Sequence, residues 1–252
     1  VLHANGRYRF SGVVVGIDAP EAHDIEPFIR ESKEVVRQKV DRYLGPARPA
    51  KAAPAIYTQS TGLVKQLVIL VRYEVTDPEN PFTAPVYTQD EFDRIFNEHN
   101  CDVYDAHGSF RDYYKEVSYD NLDVRSTVTD WIMLPEDLPY YGGQNPGGDV
   151  GPRYDELVQD SIDTLNATGF DFSDFDANGD GVIDSLLILH QQEGGESGGG
   201  YHIWSKKNTL ETPIEVDGVS VVNWYTCPEK NGSGGISHVG IYAHEFGHMM
   251  GL

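Results

Sequence analysis

The feature that most constrains this chain is a pair of histidines near its C-terminal end, His244 and His248, with Glu245 between them. The segment 237–252 around the pair has the apolar spacing of a buried helix. On a helix, residues four apart lie one turn from each other on the same face. Both imidazoles can therefore reach one metal ion, and zinc prefers nitrogen ligands of this kind. The fold must place this helix against a core and leave its histidine face open.

The glutamate between the histidines suits a catalytic role rather than a ligand role. Glu245 lies beside the histidine face, where its carboxylate can contact a zinc-bound water instead of the metal. Zinc lowers the pKa of such a water to about 7, and a nearby carboxylate can take its proton as it attacks a carbonyl group. Gly251 extends the pattern to H-E-x-x-H-x-x-G, in which glycine allows a sharp turn after the helix. The alternative is two ordinary, partly buried histidines beside a salt-bridging glutamate.

Charge excludes two classes of partner. The 252 residues include 19 Lys and Arg against 40 Asp and Glu, which gives a net charge of −21. A surface this acidic repels phosphate backbones and anionic lipids, so we expect no nucleic-acid partner. The longest purely aliphatic run, 67–71, is far too short to span a membrane, so no membrane insertion is expected. The balance suits an extracellular protein that holds divalent cations.

A change in charge also suggests a domain boundary. Residues 1–55 carry nine Lys and Arg against seven Asp and Glu, whereas 56–252 carry ten against 33. The segment 45–54 holds three prolines among small residues, which is typical of an extended linker. We therefore predict an N-terminal segment with its linker over 1–60 and an acidic globular domain over 61–252.

Hydrophobic patterning within the acidic region predicts a mixture of strands and helices. The continuous aliphatic strand 63–73 implies cover on both faces of a sheet. Further strands are predicted over 122–134, 184–190, 201–205 and 219–226. Helices are predicted over 90–100, 109–116, 154–165 and 237–252, and a surface loop over 135–151. This pattern indicates an α/β or α+β layer structure.

A second motif predicts a calcium site. Asp176, Asn178 and Asp180 place side-chain oxygens at alternate positions of a glycine-containing turn, as at the start of a calcium loop. In this register Val182 offers its carbonyl, and Asp184 binds directly or through water. The twelfth position is a leucine instead of the bidentate glutamate, which excludes a full EF-hand. The alternative is an acidic turn without a bound metal.

The chain has two cysteines, Cys101 and Cys227. This number excludes a disulfide-dense scaffold and a cysteine-rich zinc module. The pair could form one disulfide in a secreted protein or remain as two buried thiols, and the sequence leaves both alternatives open.

Four segments together resemble the immune inhibitor A-type secreted metalloproteases, which are metzincin-like zincins. They are 67–71, 108–114 with Ser118-Tyr119, 176–181 and 243–252. The resemblance implies a twisted mixed sheet with the active-site helix beneath it and a substrate cleft along an edge strand. It implies that His244 and His248 bind zinc and that Glu245 is the catalytic base. By the same resemblance, residues 1–60 match the end of a propeptide and its linker.

The resemblance also places the third zinc ligand two positions beyond Leu252, and a methionine turn further on. We therefore expect residues 61–252 to be a zinc metalloprotease catalytic domain that is incomplete at its C-terminus. The expected function is secreted, zinc-dependent endopeptidase activity on protein or peptide substrates, with structural calcium and intramolecular inhibition by the N-terminal segment. The alternative is a calcium-stabilised structural or binding domain that keeps the protease fold but is catalytically inactive.

Overall fold

The computed structural model describes residues 57–73, 85–143, 151–197 and 203–252. All of them belong to one unit that spans Ile56–Leu252. The predicted N-terminal segment and proline-rich linker lie outside the described residues, except for their last few positions. The prediction of a boundary near residue 60 therefore stays a prediction.

A six-stranded mixed sheet forms the centre of the described structure. Its strands are β1 (Gly62–Arg72), β2 (Leu122–Val128), β3 (Ile132–Met133), β4 (Ser185–Glu193), β5 (Lys206–Val216) and β6 (Val219–Lys230). The strand order is β2-β1-β4-β6-β5, and β3 pairs with the end of β1. All pairings are parallel except that of β5 with β6. The antiparallel strand β5 therefore forms one edge of the sheet.

Helices cover both faces of this sheet. They are α1 (Gln89–Asn97), α2 (Phe110–Val117), α3 (Leu138–Tyr141), α4 (Tyr154–Asn166) and α5 (Val239–Met249). Side chains of α3 and α4 pack into one apolar cluster with one face of the sheet, and those of α1, α2 and α5 pack with the other. The mixed α/β architecture agrees with the predicted fold class.

The alternation of buried side chains in β1 shows why its sequence is aliphatic throughout. Leu67 and Ile69 belong to the cluster on the α4 side, whereas Val68 and Leu70 belong to the cluster on the α5 side. Each of these four side chains is fully buried. Burial of one such side chain contributes about 1.5–3 kcal/mol to folding, so a sheet covered on both faces selects a continuous apolar run.

One strand was predicted in the wrong place. Residues 203–205 of the predicted strand 201–205 are not in a strand, and 201–202 lie outside the described residues. The strand begins at Lys206 instead and runs to Val216. Because β5 is an edge strand with a mostly exposed polar sequence, its pairing with β6 leaves little hydrophobic pattern to detect.

Two other elements differ in detail from the prediction. The predicted strand 122–134 is divided into β2 and β3, since the Thr129 hydroxyl accepts the backbone N–H of Leu70 where the ladder is interrupted. The predicted loop 135–151 contains the short helix α3, whose N-terminus is capped by the Asp137 side chain. Residues 144–150 of that loop lie outside the described residues.

The two cysteines are separate buried thiols, so the structure contains no Cys101–Cys227 disulfide. Burial raises the pKa of the Cys227 thiol well above its ordinary value. Among the described residues, no helix has the length and apolar character needed to cross a membrane.

Candidate active site

The position of α5 is fixed by its apolar face. Tyr242, Phe246 and Met249 are fully buried against the sheet. The Phe246 ring makes edge contacts with the rings of Phe110 and Tyr114 in α2. These contacts determine the rotation of α5 about its axis and turn the opposite face, with its histidines, toward solvent.

The C-terminal end of α5 is closed by a Schellman motif. The backbone N–H of Leu252 donates to the Gly247 carbonyl at 3.0 Å, and that of Gly251 donates to the His248 carbonyl at 3.2 Å. Gly251 has a φ of +84°, which glycine adopts without strain. A Cβ there would also lie 3.1 Å from ring atoms of Tyr57. The glycine of the extended motif therefore makes the sharp turn that the sequence predicts.

The two histidines have the geometry of ligands to one metal ion. Their Nε2 atoms lie 3.2 Å apart. Two nitrogens bound at about 2.0–2.1 Å to one tetrahedral zinc ion would be separated by roughly 3.3–3.4 Å. The Nδ1 of His248 lies 2.8 Å from the Leu252 carbonyl, which makes Nδ1 the donor and leaves the Nε2 lone pair free for a metal. The residues present therefore fit zinc.

Glu245 lies beside this pair but in a different environment. It is only 7% exposed, and its Oε1 is 4.0 Å from the His244 Nε2. Burial raises the pKa of its carboxyl, and the two imidazoles and the backbone N–H of Lys207 partly offset this by favouring the charged form. The carboxylate is therefore held between α5 and β5, beside the two histidines.

No third metal ligand is found in the described part of the chain. Within it, no group of three or more His, Cys, Asp or Glu side chains is placed to hold a metal ion. His190 is fully buried, and burial lowers its pKa to about 4. His238 is exposed where α5 begins. Neither is grouped with His244 and His248 as a further ligand, and His202 lies outside the described residues.

Two open cavities flank the histidine face of α5. One of about 710 Å³ lies between α2 and the N-terminal half of α5 and reaches His244. The other, of about 610 Å³, reaches both histidines and is bordered by Tyr113, Val117 and Leu252. Both cavities include Tyr113 and His244, so a ligand can reach the histidine face from the α2 side.

Sequence reasoning missed Lys207 and Tyr114 as parts of this site. The Tyr114 hydroxyl donates to the Ala243 carbonyl at 2.6 Å, next to the first histidine. Lys207 meets Glu245 only because β5 packs over α5. Contacts between distant segments leave no signal in local spacing, although Tyr114 lies in one of the segments that carry the family resemblance.

The predicted calcium loop forms a turn held by its own backbone. Asp176 accepts the N–H groups of Gly179, Asp180 and Gly181, and the Asp180 carboxylate accepts that of Val182. Asn178 donates its amide to Asp180 at 3.0 Å. The side chains predicted as ligands are therefore gathered in one turn, with their carboxylate oxygens engaged by N–H groups.

Asp184 connects this turn to the sheet. Its carboxylate accepts the backbone N–H of Lys65 in β1 at 2.8 Å and that of Ala177 at 3.3 Å. Burial raises the pKa of Asp184, and the neighbouring charges of Asp176 and Asp180 raise it further. Negative charge is therefore concentrated at this turn. None of the ion pairs among the described residues includes Asp176, Asp180 or Asp184.

Comparison with known proteins decides the family. Residues 65–252 match the catalytic domain of the immune inhibitor A peptidase M6 family. The chain belongs to this family. The match covers about three-quarters of the sequence and includes the two histidines, Glu245 and the calcium-type loop. It confirms the resemblance drawn from the sequence motifs.

Individual relatives agree with this assignment. The chain is 31% identical to immune inhibitor A from Bacillus thuringiensis subsp. alesti, in an alignment covering 82% of this chain and 35% of that protein. It is also 31% identical to the pre-pro-metalloprotease PrtV of Vibrio cholerae serotype O1, over 57% of this chain and 18% of that protein. The chain thus spans about a third or less of the length of these relatives.

Proposed function

We propose that this chain is the catalytic part of a secreted zinc-dependent metalloendopeptidase that cleaves protein or peptide substrates. The observation that carries the proposal is the 3.2 Å separation of the His244 and His248 Nε2 atoms on the open face of a buried helix. Family membership supports the peptidase chemistry, and the name of the PrtV relative describes it as a metalloprotease made as a pre-pro form.

Each residue of the motif has a distinct role in this proposal. His244 and His248 hold the metal, and the Leu252 carbonyl orients the second imidazole. Zinc, when bound, would polarise the substrate carbonyl and lower the pKa of water. Glu245 accepts the proton from the attacking water and later delivers it to the leaving amine. Its fixed position beside Lys207 prepares the carboxylate for this transfer before substrate binds.

The edge strand β5 supplies the surface for the substrate backbone. One edge of β5 pairs with β6, and no strand of the described residues pairs with its other edge, where an added strand could bind. The N–H of Lys207 already faces Glu245 along that edge. An extended peptide can add to such an edge by main-chain hydrogen bonds, which accept many sequences. This arrangement supports cleavage of unfolded or extended segments of protein substrates.

The alternative, an inactive structural or binding domain, is less well supported. The matched family is described as a peptidase family, and the PrtV relative is named as a metalloprotease. The geometry of the two histidines also fits a metal ion. The residue two positions after Leu252 in the natural protein distinguishes the two proposals. A histidine or aspartate there completes a zinc site, whereas an apolar residue supports the inactive domain.

Calcium is a further part of the proposal, with a structural role. Asp176, Asn178, Asp180, Val182 and Asp184 are the proposed ligands, and the clustered negative charge at Asp184 supports a cation there. A bound calcium would fix the turn that leads into β4. Calcium should then raise the midpoint of thermal unfolding, and Asp180→Asn should reduce that increase. No effect of calcium in either protein would contradict the proposal.

Secretion and inhibition by residues 1–60 also remain proposals. The N-terminal residues through 55 carry a small positive charge, whereas the rest of the chain is strongly negative. Attraction between the two would hold the segment on the catalytic domain and would weaken as salt screens it. If high salt does not increase activity in the full natural protein, charge does not hold the segment in place.

Zinc content tests the metal site directly. The full natural protein should bind one zinc ion at this site, measured by elemental analysis after dialysis. His244→Ala and His248→Ala should each lose it, while His238→Ala, which changes an exposed histidine outside the site, should retain it. Equal zinc content in all four proteins would contradict the proposal.

A further inference from the structure

Lys207 lies near the start of β5, next to the active-site helix α5. Its backbone N–H donates to the Glu245 carboxylate of α5. In the β5–β6 ladder, Lys207 is paired with Tyr225, whose ring contacts Phe246 of α5. Because directly paired residues point to the same face of a sheet, the Lys207 side chain lies on the α5 side.

The position of the ammonium group follows from its contacts. The Lys207 Nζ lies 3.2 Å from the Thr209 hydroxyl and 5.9 Å from the centre of the Tyr57 ring. The same Tyr57 ring lies against Gly251, in the turn that follows His248. The ammonium group therefore lies on the α5 side of β5, near the C-terminal end of the active-site helix.

The charge of this lysine is not used within the described structure. None of the ion pairs among the described residues includes Lys207, although residues 56–252 have 33 acidic side chains against ten basic ones. Partial burial lowers the pKa of the ammonium group, which means that it has lost part of its hydration without gaining a carboxylate. A carboxylate brought by a ligand would restore that stabilisation.

We propose that Lys207 is a specificity-determining residue that binds an acidic side chain of the substrate, within about two residues of the scissile bond. The inference rests on the proposed peptidase function, because it assumes a peptide bound along β5. Backbone pairing with β5 accepts most sequences, whereas a single partly desolvated ammonium group selects aspartate or glutamate.

The neighbouring lysine provides a matched control. Lys206 has the same charge but is paired with Thr226 and lies on the other face of the sheet, where its Nζ is 5.0 Å from the centre of the Tyr154 ring in α4. Removal of Lys206 changes the net charge as much as removal of Lys207, yet it should leave the α5 side of β5 unchanged.

The test compares peptides that differ only by glutamate or glutamine at positions flanking the cleaved bond, with the full natural protein. We expect a preference for glutamate of roughly tenfold in kcat/KM at one position, since a partly buried charge pair discriminates at about this level. The preference should disappear in Lys207→Gln, reverse toward lysine peptides in Lys207→Glu, and persist in Lys207→Arg and Lys206→Gln. An unchanged preference in Lys207→Gln would overturn the inference.

A binding measurement separates this inference from the proposed function. In a Glu245→Ala background, fluorescence anisotropy should show tighter binding of the glutamate peptide than of the glutamine peptide, and Lys207→Gln should remove the difference. If the parent cleaves no peptide but this difference is found, the peptidase proposal fails and the binding role of Lys207 stands. If the parent cleaves peptides and the difference is absent, only the Lys207 inference fails.

Discussion

The hydroxyl of Tyr114 donates a hydrogen bond to the carbonyl of Ala243 at 2.6 Å, and this bond joins α2 to the residue that precedes His244. Tyr114 is almost completely buried, and its ring also contacts Phe246. The bond therefore links α2 to the position of His244, the first of the two proposed zinc ligands.

Tyr114→Phe should test the value of this link. The change keeps the ring but removes the hydrogen bond between α2 and α5 and leaves the Ala243 carbonyl without this donor. We therefore expect a loss of about 1–2 kcal/mol in the free energy of unfolding. Zinc affinity should also fall, because α5 loses a constraint next to His244. Urea unfolding and zinc competition with a chromophoric chelator measure the two effects. Tyr113→Phe is the control, since Tyr113 is 45% exposed; equal effects in both variants would contradict the role given to Tyr114.

The structure explains which parts of the fold could be predicted from the sequence. The strand β1 and the helix α5 could be predicted because each has a strong apolar pattern. The side chains of β1 are buried on both faces of the sheet, and those of α5 are buried on one face of the helix. The edge strand β5 was misplaced because only one side of it is paired and most of its side chains are exposed. The periodicity of apolar residues in a sequence reflects which side chains are buried, and few side chains of β5 are buried.

The same distinction applies to the site. His244, Glu245 and His248 could be identified because one helix holds all three, so their spacing in sequence fixes their spacing in space. Lys207 and Tyr114 could not, because each meets α5 through tertiary packing. The cysteines show the same limit, since sequence alone could not distinguish a disulfide from the two buried thiols that the structure contains.

Gly251→Ala should destabilise the protein. Gly251 has a φ of +84°, and an added Cβ would approach the Tyr57 ring to 3.1 Å. A non-glycine residue in this conformation costs about 1–2 kcal/mol before any clash is counted. Chemical denaturation should show at least this loss. Gly240→Ala is the control, because Gly240 lies within α5 with no atom within 4 Å of its added Cβ, and the change should be neutral or slightly stabilising. Equal losses in the two variants would contradict the account of the turn.

Asp123→Asn should produce a loss of stability that depends on pH. The Arg111 guanidinium donates two hydrogen bonds to the Asp123 carboxylate, at 2.6 and 3.0 Å. These bonds lower the pKa of that carboxyl below its usual value. A lowered folded-state pKa gives stabilisation that is complete above the unfolded pKa of about 4 and is lost as the pH falls through the folded value.

The difference between parent and Asp123→Asn should therefore be constant above about pH 5, at roughly 1 kcal/mol for this partly exposed pair, and should shrink below pH 4. Urea unfolding across this pH range measures it. Asp130→Asn, at an exposed position, is the control and should show little change at any pH. A difference that grows as the pH falls would contradict the sign of the effect.

The most direct test of the central claim is casein hydrolysis by the full natural protein and by its Glu245→Ala variant, with zinc content measured in both. We expect the parent to cleave casein, a chelator to stop this cleavage, and the variant to retain zinc but lose about 10²–10⁴-fold in rate, a range typical of removing a general base. A zinc-loaded variant that cleaves casein as fast as the parent would contradict the assignment of Glu245 as the catalytic base.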